Sequence, residues 1–131
     1  MIRPAILIGF CVAAAQAAHG AALPLEAGVY VRDGVPCHDA PFAALIQYDG
    51  ASFSGPHSSD CTTTVVNRNG AKSYSLQTTC HAAGDGSAAA GSTEKETLTV
   101  LSPSHLIFAH PTGLRVVDQA AYRLCRSAGP T

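Results

Sequence analysis

The stretch TTTVVNRNGAKSYSLQTT, residues 62–79, decides how this chain is read. Thr62 to Asn67 is rich in β-branched residues, which suit a pleated, half-buried surface. Asn69-Gly70 follows, a dipeptide that tolerates the positive φ of tight hairpin turns, and Lys72 to Thr79 reads as the returning strand. A turn centred there predicts an antiparallel hairpin in which Cys61 faces about Thr78.

The same pattern continues outward in both directions. Toward the amino terminus, Gly28 to Arg32 (GVYVR) is closed by Asp33-Gly34, and Ala44 to Tyr48 (ALIQY) runs into a second hairpin signal at Asp49-Gly50, with a short return over Ala51 to Ser54. Toward the carboxyl terminus come Glu96 to Leu101 (ETLTVL), a turn at Ser102-Pro103, His105 to Ala109 (HLIFA), a turn at Pro111-Thr112-Gly113, then Leu114 to Val117 and Ala121 to Cys125. A helical turn within Val116 to Arg126 stays open, since no Gly or Pro interrupts it. Residues 82–93, AAGDGSAAAGST, offer little to bury and read as a flexible surface loop.

About eight short strands at roughly 10-residue spacing predict an all-β fold, an antiparallel meander closed as a small barrel or sandwich. Alternation nominates as core Val29, Val31, Ile46, Tyr48, Val65, Tyr74, Leu76, Leu98, Val100, Leu106, Phe108, Tyr122 and Leu124.

Residues 1–20 carry Arg3, an apolar run from Ala5 to Ala15 and small residues, the pattern of a secretory signal peptide cleaved between 17 and 22. The remainder, 21–131, is expected to be a single β-domain. Loss of Cys11 with the leader leaves Cys37, Cys61, Cys80 and Cys125, the arithmetic of two disulfides in an oxidising compartment, periplasmic or extracellular. The pairing expected first is Cys37–Cys61 with Cys80–Cys125. Its competitor is Cys61–Cys80 with Cys37–Cys125, because the hairpin brings Cys61 near Cys80.

With a net charge of −1 and no basic stripe, the composition argues against a nucleic-acid partner, and the leader's apolar run is too short for a transmembrane segment. Cys37-His38-Asp39 and Cys80-His81 suggest a metal or reaction centre, but neither has ligand spacing, and neighbours along a strand face opposite ways. His38, His57, His81, His105 and His110 are weak metal candidates, dispersed along the chain. GASFSG (50–55), Ser104-His105 and His57-Ser58-Ser59-Asp60 hold triad residue types without triad spacing, and no carboxylate pair stands out among Asp33, Asp39, Asp49, Asp60, Asp85 and Glu94. No cofactor is implied.

The segment 23–55, with Leu23-Pro24, Gly28-x-Tyr30-Val31, Pro36-Cys37, Tyr48-Asp49-Gly50 and Phe53-Ser54-Gly55, resembles a set of small exported four-cysteine proteins of Gram-negative bacteria. Cys61, Tyr74, Cys80 and Tyr122-Arg123-x-Cys125 extend that resemblance over most of the chain. It implies a shared fold and carries no catalytic residues. A looser, fold-level similarity is to periplasmic lysozyme inhibitors, from which this chain departs in having no tryptophan. The expected function is therefore binding of a protein or envelope component by a monomer or weak dimer, without catalysis, through loops that hold His38, Asp39, His57 and Asp60. A periplasmic metal-binding protein using the histidines and an envelope hydrolase are the alternatives.

Overall fold

A computed structural model describes residues 23–112 and 116–126. The expected signal peptide and cleavage site lie outside them, as do Gly113 of the expected turn and Leu114 and Arg115 of the strand expected after it. The described residues form eight strands: β1 (Gly28–Arg32), β2 (Leu45–Tyr48), β3 (Phe53–Ser54), β4 (Ser58–Arg68), β5 (Ser73–Ala83), β6 (Ala88–Ser102), β7 (His105–Thr112) and β8 (Val116–Leu124). A 3-10 turn over Phe42–Ala44 precedes β2. All strands join one antiparallel sheet in the order β3-β2-β1-β8-β7-β6-β5-β4, curled into a nearly closed barrel. Among the described residues no helix is long and apolar enough to cross a membrane.

The seam that closes the barrel runs between β3 and β4. β3 is only two residues long, so it cannot form a full ladder with β4. Side chains take over part of that work. The Phe53 amide donates to the Thr63 hydroxyl (3.0 Å), the Thr63 amide donates to the Ser52 hydroxyl (3.0 Å), and a bridge joins Gly55 to Ser58. Thr63 and Thr78 are both buried, and their hydroxyls share a hydrogen bond of 3.0 Å.

The core fills the lower part of the barrel with Tyr30, Tyr48, Phe53, Tyr74, Leu76, Leu98, Val100, Leu106 and Phe108. Leu23 joins it from the segment before β1. The Tyr30 hydroxyl donates to the carbonyls of Glu26 (2.7 Å) and Pro103 (3.2 Å), and the Glu26 amide donates to Pro103 (2.8 Å), which ties that segment across the β6–β7 turn. Phe53 stacks on Tyr48 at 4.6 Å and meets Phe108 edge-on at 4.8 Å, arrangements that favour the ring quadrupoles.

Several expectations need correction. Val29 is 41 % exposed, because the inward residue of β1 is Tyr30. Val31, on the other face of β1 from Tyr30, is fully buried as expected; the segment after β1 is fastened by Cys37–Cys125 and by the Arg123 guanidinium, which donates to the Val35 carbonyl at 2.9 Å. Residues 82–93 are not a loop: β5 runs to Ala83, β6 begins at Ala88, and only 84–87 turn. The open possibility of a C-terminal helical turn resolves to strand.

The disulfides are Cys61–Cys80 and Cys37–Cys125, not the pairing expected first. Register is the reason. A two-residue turn at Asn69-Gly70 would set Cys61 against Thr78, but the paired residues flanking the turn are Arg68 and Tyr74, which lengthens the connection by three residues. The extra residue Val66, bulged out of the ladder between Val65 and Asn67, returns one of them. The net slip of two preserves the face of every side chain and puts Cys61 opposite Cys80, Cα atoms 4.0 Å apart.

Loop-closure entropy scales with the span enclosed. Replacing Cys37 and Cys125, 88 residues apart, by serine is expected to cost about 4–5 kcal/mol, and replacing Cys61 and Cys80, 19 apart, about 3. Urea denaturation of the two double variants checks the ranking. Thr63→Val leaves the Phe53 amide and the Thr78 hydroxyl short of a buried partner and is expected to cost about 2 kcal/mol in the same assay.

Candidate functional site

The barrel interior changes character along its axis. On β6 the inward residues alternate as Ser92, Glu94, Glu96, Leu98 and Val100, so the face that is apolar at one end of the barrel becomes acidic at the other. β7 does the same, passing from Leu106 and Phe108 to His110. The result is a cup of about 290 Å³ above the aromatic floor made by Phe53 and Phe108. Thr78 and Cys80 of β5, Tyr122 of β8, and Gly55 and His57 of the β3–β4 connection also face it.

Three side chains converge in this cup. Glu96 and His110 stand one step along from the paired residues Thr97 and Ala109, and the Nδ1 of His110 lies 3.3 Å from a Glu96 carboxylate oxygen. Glu94 sits two residues earlier on the same face of β6, paired with Thr78. One donor atom from each of the three falls within 4.8 Å of the others. Glu94 is exposed at the rim, whereas the Glu96 side chain keeps only 11 % of its surface. Burial pushes the Glu96 carboxyl above the usual range, the nearby His110 pulls it down, and the charge of Glu94 pushes it up again. Burial likewise raises Tyr122 on β8, the strand beside β7, with Arg32 acting against the shift and Asp118 and Glu96 adding to it.

The rim is shaped by a close approach of backbones. A Cβ on Gly84, in the β5–β6 turn, would lie 1.9 Å from the Pro56 carbonyl oxygen and 3.2 Å from the Cα of His57. Glycine therefore lets that turn pack onto the connection that brings His57 to the cup. The turn itself is held by Asp85, whose carboxylate accepts from the amide (2.9 Å) and hydroxyl (2.6 Å) of Ser87.

The residues nominated from sequence scatter in an instructive way. His110 and His57 reach the cup. His38 pairs with its neighbour Asp39 at 2.9 Å on the outer segment, and His105 pairs with Asp33 at 2.9 Å beside the β6–β7 turn. His81 is exposed beside Gly91, outside the barrel. Asp60 lies in β4 with a positive φ of 51° and Asp39 has one of 55°, conformations that Asp tolerates better than most residues. The Cys37-His38-Asp39 grouping is dissolved by the disulfide, as is Cys80-His81. The sequence reading found no carboxylate pair, yet Glu94 and Glu96 form one. The alternation of ETLTVL, carried two residues back, places Glu94, Glu96 and Leu98 on one face, but the Ala/Gly/Ser-rich segment before it lacks strand propensity and hides the true start of β6 at Ala88.

Two outcomes follow from this geometry. Gly84→Ala is expected to destabilise the protein by roughly 2 kcal/mol or more, because the clash is with backbone, and thermal melting measures it. In protein treated with a chelator, Glu96→Gln removes a largely buried charge beside a like charge and is expected to raise the melting temperature at pH 7. Comparison of the chain with protein-family models, with curated proteins and with solved structures finds no match, so the reading of this cup rests on its own chemistry.

Proposed function

We propose that this chain is an exported, disulfide-stapled β-barrel that works by binding, and that its open acidic end receives a cationic group of its ligand without covalent chemistry. The observation that carries this reading is the convergence of Glu94, Glu96 and His110 in a cup of about 290 Å³. A cavity of that size lies at the small end of ligand sites, suited to an ion, an amine or one basic side chain of a larger partner. Two carboxylates behind low-dielectric walls favour a positive charge. The floor of Phe53 and Phe108 adds apolar contact for an alkyl stem.

Export is supported by the leader-like residues 1–20 and by two disulfides, which persist where thiols are not kept reduced. A partner protein or envelope component in that compartment would present its basic group to the rim, where the exposed Glu94 and His57 stand.

Thermal-shift titration tests the reading. Small amines, lysine-containing peptides and divalent cations are each added to the exported wild-type chain and to a Glu94→Gln/Glu96→Gln double variant. At least one cation class is expected to raise the melting temperature of the wild type, with the shift shrinking at high salt and vanishing in the double variant. Equal shifts in both proteins, or none in either, would overturn the proposal.

A further inference from the structure

We infer that Glu94, Glu96 and His110 form a mononuclear site for a divalent first-row transition metal, zinc in particular, at the open end of the barrel. This inference rests on the cup being a binding site for cations and names which cation it takes.

Three independent features lead to it. The first is distance. Zinc bonds of roughly 2.1 Å to nitrogen and oxygen in tetrahedral geometry place neighbouring donors roughly 3.4 Å apart. The Nδ1 of His110 and a Glu96 carboxylate oxygen already lie 3.3 Å apart, one edge of such a polyhedron. Glu94, within 4.8 Å of the other donors, needs to close by at most about 1.4 Å, and its exposed side chain has the rotamer freedom to do so.

The second is donor type. Two carboxylates with one imidazole match zinc, cobalt, nickel and manganese better than calcium or magnesium, which take all-oxygen shells, and better than copper(I), which prefers sulfur. The cysteine of the cup, Cys80, is held in its disulfide and supplies no thiolate. Three protein donors leave at least one position for water or for an atom of a ligand entering through the mouth. His57 lines the same cavity but is not one of the three clustered donors.

The third is construction. Glu96 and His110 come from adjacent strands in fixed register, and the Glu96 carboxylate is largely enclosed, so the two inner donors are held by the sheet and not by a loop. An enclosed carboxylate beside a second carboxylate is costly alone, and a divalent cation between them offsets that cost. His38 and His105 lack this arrangement, each pairing with a single aspartate at 2.9 Å.

The test uses the chain expressed with its leader, collected after export and stripped with a chelator. Isothermal titration with Zn²⁺ at pH 7 is expected to give one ion per chain. Glu94→Gln, Glu96→Gln and His110→Asn should each weaken binding at least roughly tenfold, with far-ultraviolet dichroism confirming the fold, while His38→Asn and His81→Asn leave it unchanged. Substituted Co²⁺ should show visible absorption of a four- or five-coordinate nitrogen and oxygen site, and X-ray absorption of the wild-type zinc complex should show one imidazole with oxygen donors and no sulfur. Those spectra decide the matter even if a variant fails to fold. A parallel titration with an organic diamine separates the two proposals: diamine bound at the cup without zinc overturns the metal site and leaves the binding reading standing, and neither bound overturns both. Zinc bound equally by the three cup variants would also refute the metal site.

Discussion

Two hydroxyl side chains hold the barrel shut, and a third backs them. Seven of the junctions between neighbouring strands are antiparallel ladders, but β3 is two residues long, and the remaining seam depends on Ser52 and Thr63 reaching across it, with Thr78 of β5 bonded to Thr63 behind it. This constraint shapes much else. An edge left open at β3 would expose unpaired backbone along the 11-residue β4. The buried threonine pair also divides the interior: below it lies apolar packing around Leu76 and Leu98, and above it begin the polar residues of the cup. The element that closes the fold is thus also the boundary of the candidate site.

The sequence disclosed the fold class readily, because strands announce themselves by alternation and turns by chemistry. Asp49-Gly50 behaves as its composition suggests: Gly50 takes φ 98°, and the Asp49 carboxylate accepts from the amides of Ala51 and Ser52, hydrogen bonds that hold its carboxyl below the usual range. Asn69-Gly70 marks a turn too, but a wider one, closed by the Asn69 amide donating to the Ser73 carbonyl. That difference of loop length, partly undone by a bulge at Val66, is what separates the correct disulfide pairing from the wrong one. Register is a global quantity summed along a hairpin, and residue preferences specify it poorly when a bulge intervenes. The same limit applies to β1, where Val29 and Tyr30 are both good strand formers and only the packing of the whole barrel decides which faces inward.

The candidate site was legible in part. Histidines draw attention because they are rare, and His110 and His57 were both among those nominated. Glu96 was missed because a glutamate at the start of an apolar strand reads as a solvated end. It becomes notable only when β6 is known to continue through an alanine, glycine and serine tract that lacks strand propensity. In that tract the ladder with β5 supplies the order that side chains do not, with Thr79 and Thr93 adding a hydroxyl pair at 2.9 Å. Tertiary pairing overrides local preference there, and the acidic wall of the cup is its product.

The Cys37–Cys125 bond has a mechanical meaning as well. The first and last strands are neighbours in the sheet, and this bond joins the segment after β1 to the residue after β8. A pull applied between Leu23 and Arg126 has its covalent path through sulfur, and the strands from β2 through β8 lie in a loop outside that path. The stretch on the path is about 14 residues, roughly 50 Å when extended, and it includes β1 with the core residue Tyr30. Such a pull therefore loads the ladders that β1 forms with β2 and β8, and the disulfide limits the unravelling to that one strand.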